Sequence, residues 1–118
     1  MVNRQNNREI GSQGEELAVQ YLIKHGYKIL ERNIHFSKNC EIDIIALDKN
    51  TLVCVEVKSR KTAIYASPLE AITPQKFRNI RLGLFSYLEE HHYRNYRIDA
   101  ISIILSTGEI DHLKNVSL

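Results

Sequence analysis

Three ionic residues in one short stretch hold the chain's clearest chemical potential. Residues Cys40 to Lys61 read CEIDIIALDKNTLVCVEVKSRK, two runs rich in Ile, Val and Leu separated by the polar turn Asp48-Lys49-Asn50-Thr51. Asp43 lies on the first run, Glu56 and Lys58 on the second. If Leu47 faces Leu52 across an antiparallel hairpin, Asp43 stands opposite Glu56, and opposed side chains share a face with Cβ atoms about 5 Å apart. The two-residue period of a strand brings Lys58 to that face and sends Ile42, Ile44, Val55 and Val57 to the other. It also sends Cys40 and Cys54 to opposite faces, which argues against a disulfide between them.

Two carboxylates held this close repel, so a cation should sit between them. Lys58 fills that role as a plain ion pair. A divalent metal on Asp43 and Glu56 is the alternative, and oxygen donors without a thiolate or imidazole pattern favour Mg²⁺ or Mn²⁺ over zinc. The five histidines show no HxH or HExxH spacing.

A third carboxylate stands on a predicted helix. Leu17, Ala18, Tyr21 and Leu22 recur at helical spacing, which predicts a helix from Arg8 or Ser12 to His25, stopped by Gly26. At about 100° per residue Glu15 falls nearly in line with Leu22 and can turn toward a sheet, whereas Glu16 points away. Ser12-Gln-Gly-Glu15 also matches a capping box, which would give Glu15 a purely local job.

The remaining elements must carry these groups. Tyr27 to Asn33 reads as a short strand and IHFSKN after it as a turn. Residues 59–72 read as an exposed connection with a partly ordered arm. Thr73-Pro74 opens a second helix, a capping hydroxyl followed by proline at its first position. Phe77, Ile80, Leu84, Tyr87 and Leu88 form its apolar stripe, and His91 and His92 suit its C-terminal dipole. Arg97 to Leu105 is a buried strand, with a last short strand from Glu109 to Leu113. The order helix, three strands, helix, strand, strand implies an α/β fold of the α+β kind, a mixed sheet flanked by helices with the hairpin central. All 118 residues then form a single domain, with residues 1–10 as a loosely ordered arm.

Composition sets the outer limits. A hydrophobic fraction of 43% and a charged fraction of 25% are those of a globular protein. No apolar run nears the roughly 20 residues of a membrane span. The polar N-terminus lacks a signal-peptide core, so a cytoplasmic location is expected. The net charge of +2 is modest, but Lys58, Arg60, Lys61, Lys76, Arg78 and Arg81 face only Glu70 between residues 58 and 88. That local excess suits phosphate, and equally a solvated helix face beside a basic loop.

Asp43 followed by Glu56-Val57-Lys58 resembles the PD-(D/E)xK signature of restriction-endonuclease-like proteins. Gly11-x-x-Gly14-Glu15, the Tyr21-Leu22, Gly26-Tyr27 and Asn33 run, Glu41 to Ala46, Val55 to Arg60, and the helix with Lys76, Arg78, Ile80, Tyr87 and Leu88 together resemble the YraN family, bacterial proteins described as predicted nucleases. The pattern is also similar to archaeal Holliday-junction resolvases. This resemblance implies Mg²⁺-dependent hydrolysis of phosphodiester bonds, most naturally in branched or junction DNA. It implies metal on Asp43 and Glu56, with Glu15 and the carbonyl of Val57 as further ligands, and Glu41 near them. Lys58 would orient or deprotonate water, and Arg60, Lys61, Lys76 and Arg78 would contact nucleic acid. A nucleic-acid-binding module that keeps this fold with little cleavage is the alternative. A homodimer, as in the resolvases, is compatible with it, though no stretch announces an interface. Two departures stand out: Ile42 replaces the signature's proline, and Asn39-Cys40 stands where a glycine is usual, so that a side chain there would narrow access or alter the strand's entry.

Overall fold

The computed structural model describes residues 4–38, 40–62 and 67–117, and no side chain before residue 7. Helix α1 spans Arg4–Lys24, followed by strands β1 (Lys28–Ser37), β2 (Cys40–Asp48) and β3 (Thr51–Arg60). A 3₁₀ turn, Pro68–Ala71, leads to α2 (Pro74–Glu90), β4 (Asn95–Ile104) and β5 (Glu109–Leu113). The five strands form one sheet in chain order, antiparallel except for β3 and β4, which α2 joins as a parallel crossover. The mixed sheet with one helix on each face is the expected architecture, compatible with a restriction-endonuclease-like core.

Each face has its own core. Ala18, Val19 and Leu22 of α1 pack on Ile44, Ala46, Val53, Val55, Ile101 and Ile103. Phe77, Ile80, Leu84 and Tyr87 of α2 pack on Ile42, Ile45, Leu52, Cys54, Ile98 and Ala100. The second stripe is the predicted one, with Leu88 half-buried at its end. Thr73 caps α2 by accepting from the Lys76 amide at 3.1 Å, with Pro74 opening the helix.

Glycine sets how closely both helices lie on the sheet. A Cβ at Gly14 would fall 1.5 Å from Ser59 Oγ, and one at Gly83 would fall 2.8 Å from Phe36 and 3.0 Å from the Cys40 sulfur. Any other residue would therefore lift α1 from β3, or α2 from β1 and β2, at the end of the hairpin that carries the acidic residues.

The helical and strand boundaries depart from expectation at several points. The first helix begins at Arg4, ahead of both predicted starts, so residues 4–10 are helix rather than arm; no proline or glycine precedes Gly11 to stop it. Ser12 consequently sits inside the helix, and the capping box with Glu15 does not exist. β1 runs past the predicted turn because Asn33 adopts a left-handed conformation (φ 51°) within the strand, and the chain resumes pairing with β2 at Ile34 and His35. The hairpin loop is only Lys49-Asn50, with Lys49 left-handed (φ 55°). Of the predicted exposed connection, Ser59 and Arg60 belong to β3, and Pro68, Ala71 and Ile72 are buried. Residues 63–66, where an arm was expected, lie outside the described residues. No helix among the described residues is long and apolar enough to cross a membrane.

Candidate functional site

Leu47 pairs with Leu52 as expected, and the ladder continues without slippage to Ile44 opposite Val55. The next step, Asp43 and Glu56, is where regular pairing gives way to side-chain chemistry. The Asp43 amide donates to Glu56 Oε1 at 3.3 Å, and the Val57 amide donates to Asp43 Oδ2 at 2.9 Å. Each carboxylate thus accepts from the backbone of the opposite strand, and the two carboxyl groups are near enough to interact directly.

The pleat explains why the ladder stops there. Below this level side chains alternate regularly, with Ile44, Ala46, Val53 and Val55 toward α1, and Ile45, Leu52 and Cys54 toward α2. Ile42 should then face α1 but packs against α2, a one-residue change of phase around Asp43. Asn33, at the matching level of β1 between the Arg32–Ile44 and Ile34–Ile42 pairs, is the left-handed residue that changes phase with it. This corrects the expectation that Ile42 shares a face with Ile44, Val55 and Val57. It also puts Cys40 on the α2 side with Cys54; both are buried and free. The predicted absence of a disulfide holds, although the two cysteines do not lie on opposite faces.

Glu56 is fully buried. Its Oε2 has no hydrogen bond, although Lys76 Nζ of α2 lies 3.2 Å away as an ion pair not directed as one. Burial, followed by the charge of Asp43, pushes the Glu56 carboxyl well above the usual carboxylate range, and Lys76 only partly opposes this. Burial works against the Lys76 ammonium, yet Glu56 and Asp43 hold it above its ordinary value. The compensating cation is therefore Lys76 and not Lys58. Lys58 keeps to the Glu56 face by alternation but is exposed and makes no ion pair among the described residues. Twenty residues of sequence separate Glu56 from Lys76, and only the α2 crossover closes the distance.

Glu15 approaches from α1. Burial and then repulsion from Asp43 raise its carboxyl, while the Asn33 side chain hydrogen-bonds it and lowers it in part. The residue that breaks the pleat of β1 thus also steadies Glu15. Glu41 is exposed, 3.8 Å from His35, and adds to the negative field at Glu15. The structure gathers Glu15, Asp43 and Glu56 at one end of the hairpin, yet no group of three acidic, histidine or cysteine residues among the described ones is disposed to hold a metal. Glu15 accordingly does not join Asp43 and Glu56 as a preformed ligand.

Around this centre the basic residues divide. Arg60 is ion-paired with Glu70, and Lys76 with Glu56. Lys61 and Arg78 are exposed, Arg78 bonded to Gln75 at 2.7 Å. Cys40 does not stand over the centre: its thiol donates to the Asn79 carbonyl at 2.8 Å beneath α2. Asn39 lies outside the described residues.

On the opposite face of the sheet lies a polar cluster that sequence reasoning missed. Asp99, fully buried, accepts from Arg97 Nε at 2.9 Å and the Asn115 amide at 3.0 Å, and pairs with His112 Nε2 at 2.8 Å. Arg97 also bonds Asp48 and Tyr27, and the Tyr21 hydroxyl meets His112 Nδ1 at 3.0 Å. Burial alone would raise Asp99, but its bonds to His112, Arg97 and Asn115 hold it below the usual carboxylate value. The available signal was Arg97 and Asp99 two apart on one strand face inside an apolar run, with His112 on the neighbouring strand.

The whole arrangement falls within a known sequence group. The family model described as "Uncharacterised protein family UPF0102" matches residues 14–103, a span that holds Glu15, both hairpin strands and α2. A UPF0102 protein of Syntrophomonas wolfei is 42% identical over 113 residues, 92% of this chain and 97% of that one. UPF0102 proteins of Chlorobium phaeobacteroides and Clostridium botulinum (strain Hall) are 46% and 47% identical, over 90% and 86% of this chain and 87% and 84% of theirs. With a match of that extent, the chain belongs to the UPF0102, or YraN, family.

Proposed function

We propose that this protein is a divalent-metal-dependent nuclease of the cytoplasm, hydrolysing phosphodiester bonds in DNA, with branched or junction DNA as the preferred class. One observation carries the reading: Asp43 and Glu56 meet at the open end of the hairpin, each oriented by a backbone amide of the opposite strand, and the buried Glu56 Oε2 has beside it only the Lys76 ammonium, 3.2 Å away. A cation would satisfy that oxygen and relieve the repulsion between the carboxylates. Oxygen donors of this kind suit Mg²⁺ or Mn²⁺, which complete their coordination with water. Asp43 and Glu56 would hold the ion, with the Val57 carbonyl as a further donor; bound there, it would lower the pKa of a water and neutralise charge on the phosphate.

The protein's own groups have distinct tasks. The Val57 amide fixes one Asp43 oxygen, and the Asp43 amide fixes one Glu56 oxygen, so both carboxylates are oriented before any ligand arrives. Lys58, exposed and without an ion pair among the described residues, is placed to hold the attacking water and offset charge as it builds on phosphorus. Glu15, with its raised affinity for protons, lies beside Asp43 as an outer base. Lys61 and Arg78 supply phosphate contacts that position a strand without reading its sequence.

The ion pair between Lys76 and Glu56 favours one alternative. An ammonium already placed against the carboxylate could balance the site without metal, leaving a nucleic-acid-binding module of nuclease fold. Cleavage of a panel of linear, branched and single-stranded DNA with Mg²⁺ or a chelator, for wild type and Asp43→Ala, separates the two. Metal-dependent cleavage lost in the variant supports the nuclease. Salt-sensitive binding of wild type with no cleavage under any condition supports the module.

A further inference from the structure

A second feature of α2 lies one to three turns beyond Lys76 and plays no part in that chemistry. Phe85 and Tyr96 stand edge to face, ring centroids 5.7 Å apart, 38% and 47% exposed. The Arg81 guanidinium lies 5.6 Å from the Phe85 ring centre. These side chains border a cavity of about 140 Å³ whose apolar floor includes Leu84, Ile98 and Val116. Asn115 lines its rim in a left-handed conformation (φ 58°), fixed there by its amide bond to buried Asp99 and by the Val116 amide bond to the Ile98 carbonyl.

We propose that this cavity is a stacking subsite for an unpaired nucleobase. Solvent-facing aromatic rings beside a guanidinium are the means by which proteins hold single-stranded bases irrespective of sequence, and Asn115 offers an amide donor and acceptor to a base edge. The charge is of the right sign: Arg78 and Arg81 share the flank of α2 that bears Phe85, and the helix has no acidic residue before Glu89. At 1.5 Å of rise and 100° per residue, Arg81 and Phe85 lie roughly 8 to 14 Å along the helix from Lys76 and on the other flank of the apolar stripe, so the subsite is separate from the Lys76–Glu56 pair. The subsite rests on the reading of the α2 face as a nucleic-acid surface, and not on cleavage. It narrows the ligand class to nucleic acid with an unpaired strand.

The test is equilibrium binding in chelator, where no hydrolysis occurs, of oligothymidylate carrying one 2-aminopurine. Wild type should quench the 2-aminopurine on binding. Phe85→Ala and Tyr96→Ala should each weaken binding about tenfold or more and restore the fluorescence, with unchanged circular dichroism showing that the fold survives. Arg81→Gln should weaken binding and lower the salt slope by about one. Quenching retained in a protein that cuts nothing would refute the nuclease while supporting the subsite. Binding without quenching, unchanged affinity in both aromatic variants, or no binding to any single strand would each overturn it. So would self-association of wild type abolished by Phe85→Ala, which would make the cavity a seat for a second copy of this chain.

Discussion

Replacing Glu56 by glutamine should stabilise the metal-free protein while removing its metal response. The side chain is fully buried and one oxygen lacks a hydrogen bond. Glutamine keeps the volume, keeps an oxygen for the Asp43 amide, and offers Asp43 a donor in place of a second negative charge. Exchanging a whole buried ion pair for apolar groups gains about 1 to 4 kcal/mol in favourable cases, and neutralising one partner gains less, here because Lys76 can turn to solvent and is not left buried and unpaired. Against that stands the lost attraction of Lys76, whose side chain is 44% exposed and whose ion pair is therefore worth no more than about 1 kcal/mol. The net gain is about 0 to 2 kcal/mol, or up to roughly 8 °C in Tm for a chain of this size.

The pH dependence gives the sharper form. The folded-state value of Glu56 lies above that of the unfolded chain, first through burial and then through Asp43. Below the unfolded carboxyl's value, about 4.3, both states are protonated and the group has no effect on stability. As pH rises from there toward the folded value the unfolded chain ionises first, so wild type loses stability, at a rate approaching 1.4 kcal/mol per pH unit. Above the folded value the loss is complete. The Tm of Glu56→Gln minus that of wild type, measured by circular dichroism in chelator from pH 4 to 9, should therefore start near zero and grow with pH. Mg²⁺ at a hundredfold its Kd should stabilise wild type by about 2.7 kcal/mol and leave the variant unmoved. A variant less stable than wild type by a margin that does not vary with pH would refute the reasoning and make Glu56 and Lys76 a structural ion pair.

Gly14→Ala should cost about 1 to 2 kcal/mol by urea denaturation, because the Cβ meets Ser59 Oγ at 1.5 Å and Ser59 Cβ at 2.6 Å, an overpacking that outweighs alanine's better helix propensity. Gly11→Ala, with nothing within 4 Å of its Cβ, should gain about 0.5 to 1 kcal/mol in the same experiment. Asp99→Asn should cost about 3 kcal/mol at neutral pH, since it leaves Arg97 and His112 without their buried partner. Because the folded value of Asp99 is lowered, that difference should be full above the unfolded value of about 3.9 and shrink as pH falls below it, the reverse of Glu56. Lys58→Ala should leave the unfolding free energy within about 0.5 kcal/mol of wild type, as Lys58 is exposed and makes no ion pair among the described residues, yet, on the proposed function, lower the cleavage rate at least a hundredfold.

What could be read from the residues was whatever local rules decide. The Leu47–Leu52 register follows from two apolar runs around a short polar turn, and the Thr73-Pro74 start of α2 from cap chemistry. The meeting of Asp43 and Glu56 came from counting along that register. The rest depended on tertiary choices. Asn33 could have ended β1 in a turn; it takes the left-handed conformation inside the strand, where its side chain serves Glu15 and its backbone rephases the pleat. Strict alternation then failed for Ile42 and Cys40. Lys58 was the nearest basic residue in sequence and so the natural partner for Glu56, but a residue two along a strand points past its neighbour, whereas α2 lowers Lys76 onto it. Ser12 matched a capping box only on the assumption that the helix starts there.

The two buried carboxylates also differ in what the fold leaves them to bind. Asp99 and Glu56 sit on neighbouring strands, with Val55 paired to Asp99 and Glu56 to Ala100, and both side chains are fully withdrawn from solvent. Asp99 has bonds to Arg97, His112 and the Asn115 amide, and they hold it ionised against its burial. A network so completed rigidifies a core and has little left to offer a ligand. Glu56 has one backbone donor, a second carboxylate as neighbour and an ion pair not directed as a hydrogen bond. Its Oε2 has only the Lys76 ammonium beside it and its proton affinity is raised, so a divalent cation bound there would relieve what the fold leaves unbalanced. Perturbed, incompletely paired carboxylates concentrate where proteins bind and react. Of two equally buried acids, the one left incomplete is the one on which the proposed metal binding rests.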